Sequence, residues 1–164
     1  MDLRDVFRLR CSELLTTERD LWQMNVLMAR ATYNPKLKQL LEQHSERSRH
    51  LISKLEQIVD RLGGMMGPSE SPIVQGMLRA HRLFMEMNPP REIIDADNAL
   101  EAEKIEHLLL GAYTGLLTLA HHLEEREITE MLQQNQTDEQ RMCAVIEGEP
   151  PTVLAAATPQ RRAA

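Results

Sequence analysis

Apolar residues recur at helical spacing along most of the chain. In the first stretch, about residues 2–31, they return every seven positions, at Phe7, Leu14, Leu21 and Met28. Such a stripe is typical of a long helix that packs one face against neighbours. Three further stretches show comparable stripes: about 35–62, 92–122 and 126–147. The pattern therefore predicts four long helices.

Helix-ending residues separate these stretches. Asn34-Pro35 supplies an N-cap followed by proline at the first helical position, and Gly63-Gly64 ends the second helix. A shorter stripe over about 72–87 lies between the second and third long helices, before Asn88-Pro89-Pro90. A single long connection of this kind is typical of ferritin-like folds. We predict an all-α, ferritin-like four-helix bundle with a short extra helix in the crossover.

Composition limits the class of protein. The 164 residues suggest one domain, with residues 1–147 forming the bundle and residues 148–164, which are rich in Pro and Ala, forming a disordered tail. The net charge of −6 and the lack of a dense basic run argue against nucleic acid as a partner. No apolar run is long enough for a membrane span, and the N-terminus does not have the pattern of a signal peptide. We expect a cytoplasmic protein, and its two cysteines do not form a disulfide framework.

Four polar residues interrupt the apolar stripes, one on each long helix: Glu18, His44, Glu106 and Glu139. A buried carboxylate needs a partner, and carboxylates that converge from four helices usually bind metal ions. Three of the helices have a simpler explanation when taken alone. Glu18 is compatible with a solvated stripe edge, His44 with a hydrogen-bonded core histidine, and Asp138 and Glu139 with a solvated helix face. Only one of Asp138 and Glu139 can point fully inward. Oxygen and imidazole ligands would suit iron, manganese or zinc.

Several short segments follow one another in a recognisable order and spacing: Asp5-Val6-Phe7, Thr17-Glu18-Arg19-Asp20-Leu21, His44-Ser45-Glu46, Ile105-Glu106-His107 and Ala112-Tyr113. Through these segments, the chain resembles the YciE/YciF family of bacterial stress proteins over about residues 1–147. The resemblance implies a ferroxidase-like bundle that holds two iron ions and forms homodimers. It also implies a polar core in this chain, at positions that match the family's: Glu18, His44, Glu106, Tyr113 and Glu139.

The chain departs from the family where further ligands are expected. These positions hold Arg47, Leu51, Leu109 and Cys143, and neither the second nor the fourth long helix carries a Glu-x-x-His pair. We hypothesise that the Arg47 guanidinium replaces the missing cations in an internal ion-pair network. The resemblance and these departures together imply a ferritin-like, stress-associated protein of the YciE/YciF type, ferroxidase-like but with a degenerate site that binds iron, manganese, zinc or no metal. The alternative is a metal-free dimeric structural or partner-binding bundle, and whether the protein is an enzyme stays open.

Overall fold

A computed structural model describes residues 1–158 and shows helices without strands in that range. None of the helices there combines the length and apolar character needed to cross a bilayer. The six helices are α1 (Leu3–Ala31), α2 (Pro35–Arg61), α3 (Pro72–Glu86), α4 (Arg91–His122), α5 (Arg126–Ile146) and α6 (Glu149–Ala157).

The four long helices form a bundle. Helices α1 and α2 make one hairpin and α4 and α5 make another, while α1 packs on α4 and α2 packs on α5. Thr32 contacts Asn98, whereas Glu18 contacts Tyr113, so α4 runs antiparallel to α1. Helices α2 and α4 are therefore parallel, which requires one long crossover. Helix α3 lies in that crossover and packs on α1, and the predicted ferritin-like fold is confirmed.

Local residues explain where the helices begin and end. The Asn34 side chain accepts hydrogen bonds from the amides of Lys36 and Leu37, and Pro35 occupies the first turn of α2. Gly63 and Gly64 have φ values of 95° and 90°, a region that a side chain makes unfavourable. The predicted ends of α2 thus agree with the structure.

The predicted disordered tail is wrong for residues 149–157, which form α6 and pack on α4. Its prolines stand in the first turn, where a missing amide hydrogen costs nothing, and alanines that favour helix follow. Val153 is buried, and Glu149 pairs with Lys36 at 2.7 Å between Oε1 and Nζ. The domain therefore extends beyond residue 147. Residues 159–164 lie outside the described residues, and the prediction for them is untested.

Packing of α6 predicts unequal effects for two neighbouring residues. Val153 is 2% exposed and Leu154 is 40% exposed. We expect Val153→Ala to lower the free energy of unfolding by about 1–2 kcal/mol, because two buried methyl groups are lost. Leu154→Ala is the matched control, and its effect should stay within about 0.5 kcal/mol. Urea denaturation measures both, and equal small effects would mean that α6 does not pack in solution.

Candidate metal centre

The structure places the four predicted polar residues in the core at the middle of the bundle. Glu18 on α1, His44 on α2, Glu106 on α4 and Glu139 on α5 are each between 1% and 3% exposed. The apolar stripes explain their burial, since each residue lies on the face that its helix turns inward. Glu139 rather than Asp138 faces the core, which resolves the alternative left open by the sequence.

We call Glu18, His44, Glu106 and Glu139 the core cluster. Several of its atoms have no hydrogen-bond partner when the carboxyl groups are ionised. They are Glu18 Oε2, His44 Nδ1, both carboxylate oxygens of Glu106 and both of Glu139. His44 Nδ1 lies 2.8 Å from Glu106 Oε1, but the pair lacks hydrogen-bond geometry. Buried polar atoms without partners are costly, and they are rare in folded proteins. The core cluster therefore needs a cation or additional protons.

One part of the core cluster is held by neutral hydrogen-bond donors. The Tyr113 hydroxyl donates to Glu18 Oε1 at 2.8 Å, and the Asn135 amide donates to the Tyr113 oxygen at 3.3 Å and to the Leu51 carbonyl at 3.2 Å. Tyr113 was predicted from the resemblance, whereas Asn135 was missed. Asn135 stands four residues before Glu139, a spacing that places both on one face of α5 and would have identified it.

Burial dominates the acid–base properties of the core cluster. It raises the pKa of Glu18 to about 7, although the Tyr113 hydrogen bond and the nearby His44 oppose this effect. The pKa of Glu139 is raised well above 4.5, first by burial and then by the charges of Glu18 and Glu106. Burial also raises the pKa of Tyr113 well above 10. Tyr113 is therefore a neutral donor at physiological pH, and Glu139 can hold a proton.

Arg47 does not take part in an internal ion-pair network, so that hypothesis is wrong. Its side chain is exposed and has no ion-pair partner among residues 1–158. Its charge acts on Glu139 only through space. It lowers the pKa of Glu139, but less than burial and the neighbouring carboxylates raise it. A long aliphatic stem lets arginine reach water from a position near the core.

The other departures from the family pattern are apolar or weakly polar in the structure. Leu51 and Leu109 are buried side chains, and Leu109 belongs to the main hydrophobic core. Cys143 is a buried free thiol that donates to Glu147 Oε1 at 3.5 Å, and Cys11 is also free. The core cluster thus has no further ligands from these three positions.

The geometry of the core cluster sets what it can hold. Three residues could hold a metal ion as they stand if one ligand atom from each lay within 4.8 Å of the other two. Among residues 1–158, this spacing is met by His107, Cys143 and Glu147. No three of the four core-cluster residues meet it. Three carboxylates and one imidazole still form a donor set that suits a hard or borderline divalent cation. Side-chain rotations would be needed to bring these donors around one ion.

The pKa of Glu18 predicts how the metal-free protein responds to pH. Between pH 4.5, which is the ordinary pKa of glutamate, and about pH 7, the Glu18 carboxyl holds its proton more often in the folded protein than in the unfolded chain. The folded protein therefore binds more protons in this range. The free energy of unfolding should therefore fall as pH rises through this range, by up to about 3 kcal/mol from this residue. Glu18→Gln should remove this part of the slope.

Urea denaturation of chelator-treated protein, repeated from pH 4.5 to pH 8, measures this effect. Glu42→Gln is the control, because Glu42 is an exposed carboxylate, and it should retain the wild-type slope. Identical pH dependence in wild type and Glu18→Gln would contradict the raised pKa.

Comparison with known proteins places the chain among relatives of similar length. Protein YciF of Escherichia coli (strain K12) is 27% identical over 138 residues, which cover 84% of this chain and 83% of that protein. The crystal structure described as the E. coli stress protein YciF superposes with a TM-score of 0.85 at 24% identity, covering 94% of this chain and 98% of that one.

A second solved structure has the same fold. It is a protein of Rhodopseudomonas palustris described as YcfI, a putative structural protein, with a TM-score of 0.82 at 20% identity over 90% of this chain and 94% of that one. The family model described as "Domain of unknown function (DUF892)" matches residues 2–157. This chain therefore belongs to the DUF892 family, and its predicted resemblance to YciF-type proteins is confirmed.

Proposed function

We propose that this protein is a ferritin-like, stress-associated protein whose core cluster binds one divalent metal ion, foremost iron, in a ferroxidase-like manner. The observation that carries the proposal is the set of unpartnered polar atoms on Glu18, His44, Glu106 and Glu139 in the middle of the bundle. A divalent cation would give these atoms a partner and offset the cost of burying carboxylates.

Charge and ligand number favour one ion over two. A complete dinuclear site in such a bundle uses six side chains, four glutamates and two histidines. This core supplies three glutamates and one histidine, while Leu51 and Leu109 occupy neighbouring positions. Three carboxylates exceed the charge of one divalent ion but do not balance two. The proposed site is therefore a reduced version of the family's dinuclear site.

The surrounding residues would orient the ligands and keep the site dry. Tyr113 holds one oxygen of Glu18 and leaves Oε2 free, and Asn135 in turn holds the Tyr113 oxygen. The leucines exclude water, which strengthens the attraction between carboxylates and a cation. Iron, when bound, would supply one-electron chemistry with oxygen or peroxide, and Fe²⁺ would be the substrate of a ferroxidase.

A metal-free structural role is the second candidate. It is supported by the raised pKa values of Glu18 and Glu139, because protonated carboxyl groups can donate to one another and need no cation. The words "putative structural protein" in the description of the R. palustris relative point the same way.

A homodimer, which the family resemblance implies, belongs to both candidates. A cytoplasmic location does too, since Cys11 and Cys143 are free thiols.

Thermal unfolding with and without Fe²⁺ under anaerobic conditions tests the proposal. At free Fe²⁺ of about 100 times the dissociation constant, binding adds about 2.7 kcal/mol, which should raise the Tm by about 5–10 °C. Glu106→Gln should lose most of this shift, because Glu106 lies between His44 and Glu139 in the core cluster.

Asp138→Asn is the matched control, since Asp138 is next to Glu139 but pairs with Arg141 at 3.2 Å outside the core cluster. It should keep the wild-type shift. Each variant is compared with its own metal-free Tm, so that stability changes caused by the substitution cancel. Equal shifts in wild type and Glu106→Gln would refute the proposal, and an unchanged wild-type Tm would favour the structural role.

A further inference from the structure

A second group of metal-ligating side chains lies on the outer seam between α4 and α5. His107 projects from α4, Cys143 from α5, and Glu147 follows the end of α5. One ligand atom from each lies within 4.8 Å of the other two, a spacing that could hold a metal ion. This seam cluster is not used by the proposed function.

The seam cluster is separate from the core cluster although it shares both helices. His107 follows Glu106 directly, and successive helical side chains point about 100° apart. The His107 side chain is 57% exposed and that of Glu106 is 1% exposed. Solvent therefore reaches His107 and Glu147 directly, and a cation could enter the seam cluster without opening the bundle.

Distances in the seam cluster match those between ligands around one tetrahedral ion. Zinc bonds of about 2.0–2.3 Å at tetrahedral angles place neighbouring nitrogen, oxygen and sulfur ligands about 3.3–3.6 Å apart. His107 Nε2 lies 3.3 Å from Glu147 Oε1, and Cys143 Sγ lies 3.5 Å from the same oxygen. The side chains therefore need little movement to surround an ion.

The electrostatic surroundings favour a cation at this point. The pKa of the Cys143 thiol is raised to about 11, first by burial and then by the carboxylates of Glu147, Glu106 and Glu103. Several negative groups thus act on one sulfur atom. Glu103 stands one turn before His107 on α4 and is half-buried, and its carboxylate adds to the negative charge around the Cys143 sulfur.

We propose that His107, Cys143 and Glu147 form a second metal site, which binds one borderline divalent cation such as Zn²⁺. Water takes the fourth tetrahedral position. Cysteine and histidine ligands select zinc over the harder ions expected in the core cluster. On binding, the Cys143 sulfur forms a bond to the metal and its proton passes to the solvent.

Titration of the reduced, metal-free protein with Co²⁺ tests this proposal. Cobalt bound to a thiolate gives a charge-transfer band in the near ultraviolet, which the core cluster cannot produce because it contains no cysteine. We expect the band to saturate at one Co²⁺ per chain and to disappear when Zn²⁺ is added. Cys143→Ala should abolish the band, and His107→Ala should weaken Co²⁺ binding by about tenfold or more.

The chain offers a matched control for each variant. Cys11→Ala removes the other buried free thiol, and His122→Ala removes another exposed histidine of α4. Both should keep the band and the wild-type affinity, and circular dichroism should show helical folding in all variants. Absence of the band in wild type, its persistence in Cys143→Ala, or unchanged affinity in His107→Ala would overturn the proposal.

Discussion

Burial of four ionisable side chains at one level of an apolar bundle is the constraint on which the rest of this structure depends. Charged carboxylates are costly in such surroundings, so each must find a proton, a donor or a cation. Tyr113 and Asn135 supply donors on one side, and the raised pKa of Glu18 and Glu139 shows the tendency to retain protons. The same groups that destabilise the ionised core make it attractive to a metal ion.

In the proposed account, the stability of the metal-free protein and its affinity for metal are opposed. Leu51 and Leu109 stand where the family resemblance implies polar ligands, and they reduce the charge that must be buried and add apolar packing. They also leave too few ligands for two metal ions. The protein then has two proposed metal sites of different chemistry. The core cluster is dry and offers oxygen and imidazole donors. The seam cluster faces solvent, and Cys143 adds a sulfur donor there.

Much of the fold was predictable because periodicity, caps and glycines act locally. The bounds of α2, with Asn34 at its start and Gly63 after its end, follow from short-range rules. The burial of Glu139 and the exposure of Arg47 depend on how α2 and α5 rotate against their neighbours, which spacing alone does not determine. Helix α6 was missed because its proline-rich first turn resembles a disordered segment, and its stability comes from packing on α4.

The most direct measurement is the iron content of wild type and Glu106→Gln after anaerobic Fe²⁺ loading and desalting. Comparing the two proteins isolates the core cluster from any iron bound at the surface. We expect about one iron per chain fewer in Glu106→Gln than in wild type. Equal iron content in both proteins would show that the core cluster does not bind iron and would contradict the proposed function.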